Sequence, residues 1–484
     1  MHCSALEYIQ AAVVGDCYKK PLMVDGQREL TSHCHFNRTS ASIAAILPTL
    51  LRMNQMQNND RYDLSERLIH FFRTVDRDSS DAPVWPEDLG YASIDEEPIL
   101  QPNFLLRHAI RMGRLFATWS VRNGRRTIHG LMPAVCFTDM PIPAFIEAGR
   151  QRAALGQAMS PYGLVFPKPA AFRLGARPVI YSLTHEAHVH GGENDTPRVF
   201  DEAALPLQEQ YRYVAYDPTL GRLDWSHERE WRWLSPVDAW ADEDGGPPMH
   251  SDDLPGLNLD DARLKGLGVI VATALEAHLI VHDILTKVDR NDIAEDHYAF
   301  VLAHETIDDW VELRERGTLD GAIQSHLIDM TGFFEVDEKQ AVALETELDA
   351  IIAAILSAAP APEAGEVGGC WLWLLDNQHL VTRALLSRDR VRINRSGKYL
   401  IRMDEFATLG HSLAQREAMT RELAIRLRAA HKLRASYFLV LGIADADGVP
   451  SFNGDNLDDQ YFYNWNWTPA DVAERQDYLE ANGD

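Results

Sequence analysis

Cysteine is scarce in this chain, and the pattern it fails to make is informative. Only Cys3, Cys17, Cys34, Cys136 and Cys370 occur among 484 residues. They are odd in number, scattered and without C-x-x-C spacing. This argues against a zinc ribbon or a disulfide framework and for a reducing compartment. Positive charge is also short, the formal net charge being −26. Indiscriminate adhesion to nucleic acid or anionic membrane is therefore disfavoured, while a local basic groove stays open. The longest apolar run, around residues 348–359, is too short to span a bilayer. The first residues lack a basic stretch followed by an apolar one, so no signal peptide and a cytoplasmic location are expected. No internal repeat is visible. Hydrophobic content of 46% and charged content of 24% are ordinary for a globular protein. The length calls for two or three domains.

The densest chemistry lies in Trp225-Ser226-His227-Glu228-Arg229-Glu230-Trp231-Arg232-Trp233. If this stretch is extended, i and i+2 share a face, and Glu228 and Glu230 project together. Two carboxylates beside aromatic walls suit a ribose diol and a cationic sugar. The same Glu-Arg alternation also fits an edge strand with ordinary ion pairs. Upstream, His35 and Asn37 fall at an expected strand-to-helix junction capped by Thr39 or Ser40, where helix N–H groups meet anions. Residues 50–75 read as polar helix. Residues 101–130 hold Arg107, Arg111, Arg114, Arg122, Arg125 and Arg126. They suit a pyrophosphate or a nucleic-acid backbone, or else they neutralise the protein's own acids.

Three short strands follow, at Val135 to Asp139, Tyr162 to Lys168 and Arg177 to Ser182. With helices before them they indicate an α+β domain. The histidines between His185 and His190 lack HExxH spacing and read as an exposed loop, so no metal site is expected. Gly266-Leu267-Gly268 to Thr273, a helix over about 274–288 and a strand from His297 to His304 make a βαβ-like unit. Because the Gly-x-Gly precedes its strand, it is no dinucleotide fingerprint. The expected domains are 1–335, a helix and Pro/Ala/Gly-rich linker over 336–369, and a smaller C-terminal α/β module over 370–484. In that module Arg383, Arg388, Arg390, Arg392, Arg395 and Lys398 stand against one local acid, Asp389. They form a candidate nucleic-acid face or a solvated surface. The acids between Asp445 and Asp459 do not match an EF-hand loop.

Taken in order, His35-Phe36, the Val135–Asp139 strand, Tyr162-Gly163 leading to Phe166 and Lys168, Pro178–Tyr181 and Glu228–Arg232 resemble the AbiGi-type abortive-infection family. More distantly they are similar to DarT-type ADP-ribosyltransferases. The resemblance spans roughly residues 30–290. It implies a split, mixed β-sheet fold that takes NAD as substrate and moves ADP-ribose onto a target, with nucleic acid as the expected acceptor in the context of anti-phage toxicity. It further implies that His35 and Asn37 meet NAD, that Thr138 and Asp139 line the nicotinamide pocket and that Tyr162 stacks nearby. Lys168 would join these, while Arg114 and Arg122 would serve the pyrophosphate. Glu230 would be catalytic, with Glu228 as partner carboxylate. Asn37 stands where the DarT-type pattern has threonine, and no Ser-Thr-Ser triplet occurs. Two other classes compete: a non-catalytic binding or antitoxin-like partner, and a metal-dependent nuclease. A regulatory protein partner is open, and no membrane association is expected.

Overall fold

The computed structural model describes residues 22–24, 27–29, 65–79, 98–122, 124–182, 189–192, 196–216, 225–236, 254–307, 326–450 and 452–453. The chain divides into residues 1–60 and 61–484 rather than keeping 1–335 together. Of the first unit, a hairpin is described, β1 (Leu22–Val24) with β2 (Gln27–Glu29). His35 and Asn37 lie outside the described residues, as do residues 50–64 of the 50–75 stretch read as helix.

The second unit is α+β. Its first sheet has five strands: β3 (Arg67–Phe72), β5 (Tyr162–Pro167), β8 (Leu267–Val271), β9 (Tyr298–Ala303) and β10 (Leu327–Asp329). Their order is β10-β9-β8-β5-β3. Only β8 and β9 run parallel, joined across α4 (Ala274–Asp289), as the βαβ reading requires. Thr273 and Glu276 form a capping box that starts α4. Gly268 has a packing role, since a Cβ there would lie 2.2 Å from the Phe300 ring.

Residues 67–72 correct the helical reading of that stretch. Leu68 faces one core with Leu164, Phe166, Val269 and Ile280, and Ile69 faces another with Val165, Ile270 and Phe145. A strand buried on both faces shows a nearly continuous apolar run, which periodicity alone cannot tell from a helix. One face of this sheet is covered by α1 (Pro102–Met112) and α4, the other by α2 (Ile142–Ala154).

A second sheet of three strands has the order β6-β7-β4, from β6 (Arg177–Pro178), β7 (Trp231–Leu234) and β4 (Ala134–Phe137). An isolated bridge between Ile69 and Thr138 links it to β3.

The C-terminal sheet runs β12-β13-β11-β14-β15. Its strands are β11 (Gly368–Leu374), β12 (Arg392–Ile393), β13 (Tyr399–Arg402), β14 (Ala435–Leu441) and β15 (Phe452–Asn453). Helix α7 (Leu413–His431) begins with a Ser412/Gln415 capping box and packs on this sheet. Helix α5 (Glu338–Ala358) is not part of a linker. It places Leu348, Ile352 and Ile355, at i, i+4 and i+7, in one core with Leu372, Ile401 and Leu423. The C-terminal module therefore begins near residue 338 rather than 370.

Helix α4 ties this module to the first sheet. Asp289 pairs with Arg383 at 2.6 Å and accepts from the Tyr399 hydroxyl at 2.6 Å. Asn377 donates to the His282 carbonyl at 3.0 Å, and Gln378 to that of His278 at 2.9 Å. On the same helix, Arg107 and Arg111 of α1 converge on Asp283 at 2.8 and 2.6 Å. Burial pushes the Asp283 carboxyl up, but the two guanidiniums outweigh it and hold the group below its ordinary range. A depressed folded value gives stability that is complete above the unfolded pKa and lost as pH falls through the folded one. Asp283→Asn should lose about 3–5 kcal/mol at neutral pH, because two buried cations lose their counter-charge. In urea unfolding the gap from wild type should narrow on acidification; a gap independent of pH would contradict this origin.

Candidate functional site

Residues from five segments meet where the two sheets join. Thr138 and Asp139 end β4 and are buried. The Thr138 hydroxyl donates to the Glu228 carbonyl at 2.6 Å, and the Asp139 N–H donates to the same oxygen at 3.2 Å. Lys168, directly after β5, reaches Asp139 at 2.6 Å and also donates to the Ser65 carbonyl. The Lys168 ammonium lies 5.9 Å from the Trp231 ring centre. Burial raises the Asp139 carboxyl above its ordinary value, with Lys168, Arg229 and Trp231 opposing.

The two glutamates are near neighbours but do not form the expected pair. Trp225–Glu228 is a 3₁₀ turn, and Arg229 follows with φ of +45°. The extended geometry that would align residues 228 and 230 is therefore absent. Glu228 turns to Arg152 of α2 at 2.7 Å. Glu230 forms a two-pronged pair with Arg232, at 2.7 and 3.2 Å. The i, i+2 rule does hold one step later, between Glu230 and Arg232. Arg232 is 4% exposed, and its remaining nitrogen donates to the Tyr211 carbonyl at 2.6 Å and the Tyr213 carbonyl at 3.3 Å. It is a fixed cation on a fixed frame. The Glu230 N–H donates to the Tyr181 hydroxyl at 3.3 Å. Burial, then the charge of Glu230, pushes the adjacent Cys136 thiol up, so it stays protonated and is no nucleophile. Arg152, Tyr181 and Arg232 were not singled out by sequence. Only the Glu-x-Arg spacing of 230 and 232 carried a signal.

Tyr162 is elsewhere. It occupies the far end of β5 from Lys168, a strand about 17–20 Å long, and its hydroxyl donates to Glu276 at 2.8 Å. That bond supports the α4 cap rather than a ligand. Arg114 is engaged as well, donating to the Leu254 carbonyl. Arg122 sits exposed on the 121–126 hairpin, within electrostatic reach of Cys136.

The basic cluster of the C-terminal module meets acids distant in sequence. Arg383 pairs with Asp289, Arg388 with Glu338 and Glu345, Arg390 with Asp349, and Arg392 with Asp447. The Arg395 N–H donates to Asp447 at 2.7 Å, and Lys398 lies 4.9 Å from the Trp373 ring centre. For Arg383, Arg388, Arg390 and Arg392 this is the internal neutralisation that the sequence left open. Among the described residues no helix is long and apolar enough to cross a membrane.

Residues 338–465 match the family model described as "Protein of unknown function (DUF4427)". The match begins at the first residue of α5, in step with the packing of that helix into the C-terminal core. It includes none of the residues gathered between Thr138 and Arg232. No curated protein and no solved structure matches the chain.

Tyr162→Phe separates a structural from a ligand-facing role. Losing the bond to Glu276 should lower stability by about 1 kcal/mol in urea unfolding while leaving unchanged any affinity for NAD, the ligand the family resemblance implies. A fall in such affinity of about tenfold or more would return Tyr162 to the site.

Proposed function

We propose that the chain is an NAD-dependent ADP-ribosyltransferase whose chemistry is centred on Glu230, built on an ADP-ribosyltransferase-like split sheet. The observation that carries this reading is the meeting of distant segments around β4 and β7: Thr138 and Asp139 bond to the Glu228 carbonyl, Asp139 pairs with Lys168, Glu228 with Arg152 and Glu230 with Arg232. The nicotinamide–ribose bond breaks with its electron pair leaving on nicotinamide, and positive charge develops on the anomeric carbon. An acceptor nucleophile then bonds to that carbon and releases its proton. A carboxylate held in place before the reaction stabilises such charge without reorganisation. Arg232 supplies that hold for Glu230, leaving oxygen lone pairs for ribose hydroxyls. Glu228, positioned by Arg152, is the partner carboxylate. An anti-phage toxin role and a nucleic-acid acceptor rest on the family resemblance alone.

A second reading is favoured by one specific observation. Each of the two glutamates already has an arginine. A site closed by its own ion pairs suits a non-catalytic partner that binds protein or nucleic acid. Labelled NAD separates the two readings when incubated with full-length protein, alone and with single-stranded DNA, duplex DNA, RNA or lysate. The transferase reading expects nicotinamide release and label on one macromolecule. Glu230→Gln should reduce release by about 100-fold or more with its unfolding curve little changed. No turnover and no NAD binding under any condition would overturn that reading in favour of the binding partner.

A further inference from the structure

Helix α4 ends on Asp289, and an acid carries the wrong charge for that place. The C-terminal end of a helix is partially negative and favours cations. The Asp289 side chain is also only 4% exposed, so water screens it little. What the helix withholds, the C-terminal module supplies. The Arg383 guanidinium and the Tyr399 hydroxyl each reach the same Asp289 oxygen at 2.6 Å. Arg383 is itself aimed by a bond from its Nε to the Phe333 carbonyl at 2.9 Å.

The same side of α4 is gripped through its backbone. The Gln378 amide donates to the His278 carbonyl at 2.9 Å. The Asn377 amide donates to the His282 carbonyl at 3.0 Å and to the Thr286 hydroxyl at 3.3 Å. Residues 278, 282, 286 and 289 follow one stripe of the helix, at spacings of i, i+4 and i, i+3. A helical carbonyl keeps a second lone pair for an outside donor, so the amide bonds read the shape of a helix and not its sequence. The carboxylate supplies the sequence-specific contact. Asn377, Gln378, Arg383 and Tyr399 all lie within the matched residues 338–465, whereas the groups they hold on α4 lie outside them.

We propose that the C-terminal module is a helix-docking module. It recognises an α-helix by side-chain amides on two carbonyls one turn apart, and by Arg383 with Tyr399 on a carboxylate at the helix C-terminus. Helix α4 is its resident ligand. Arg383, expected at a nucleic-acid face, is thereby assigned to protein recognition. The proposal is independent of the transferase reading.

The test is hydrogen exchange, resolved by segment, on the full-length chain and its Asp289→Lys variant. A docked face opens without unfolding what lies behind it. In Asp289→Lys, exchange should quicken by about tenfold or more in residues 282–290 and 376–387. The strands β11, β13 and β14 should keep their protection. Asp289→Asn, which keeps the shape and removes the charge, should repeat the pattern on a smaller scale. Reversing the pair, with Asp289→Arg and Arg383→Asp together, should restore protection. Unchanged exchange in residues 282–290 and 376–387 overturns the proposal. Protection lost throughout the module in both single variants also overturns it, since the pair would then belong to one continuous core.

Discussion

Asp283 lies in the middle of α4 with none of its side chain exposed, and two arginines of α1 converge on it. A buried carboxylate of this kind is stable only because its partners are fixed, and it fixes them in return. One and a half turns later Asp289 does the same for Arg383 and Tyr399 of the C-terminal module. Helix α4 is thereby held both to α1 and to the C-terminal module, and with it β8 and β9, which it connects. Every strand of the first sheet takes its place from that pair, through β5 to β3, and from β3 to Thr138 by the bridge at Ile69. The candidate site lies at the end of this chain of contacts.

The C-terminal module docks on the α4 side of the sheet. Helix α2, which supplies Arg152 to the site, packs on the other side. Its arginines Arg383, Arg388, Arg390 and Arg392 are matched by acids from α5 and by Asp289 and Asp447. The first residue of its helix α5 coincides with the start of the family match at residue 338.

Much of the fold was legible where a local rule governed it. The apolar run from Leu267 to Val271 announced β8, and the helical pattern over about 274–288 announced α4. Residues 67–72 were misread because burial on both faces removes the alternation that marks a strand. The site was legible only in part. The carboxylates and Trp231 stood out by density, and Glu230 with Arg232 obeys the strand period. The left-handed turn at Arg229, which breaks the alignment of Glu228 with Glu230, has no signal in a residue type that normally avoids it. The bonds from Asp139 to Lys168 and from Glu228 to Arg152, and the acids that meet Arg388 and Arg390, join residues far apart in the chain. No window of sequence could pair them.

The account turns on one place being a ligand site: the junction of β4 and β7 where Glu230 is held by Arg232. A crystal structure of the full-length chain with ADP-ribose tests this most directly. The expected result is a ribose within hydrogen-bond distance of the Glu230 carboxylate. ADP-ribose bound at another surface, or absent at concentrations that saturate the protein in solution, would contradict it.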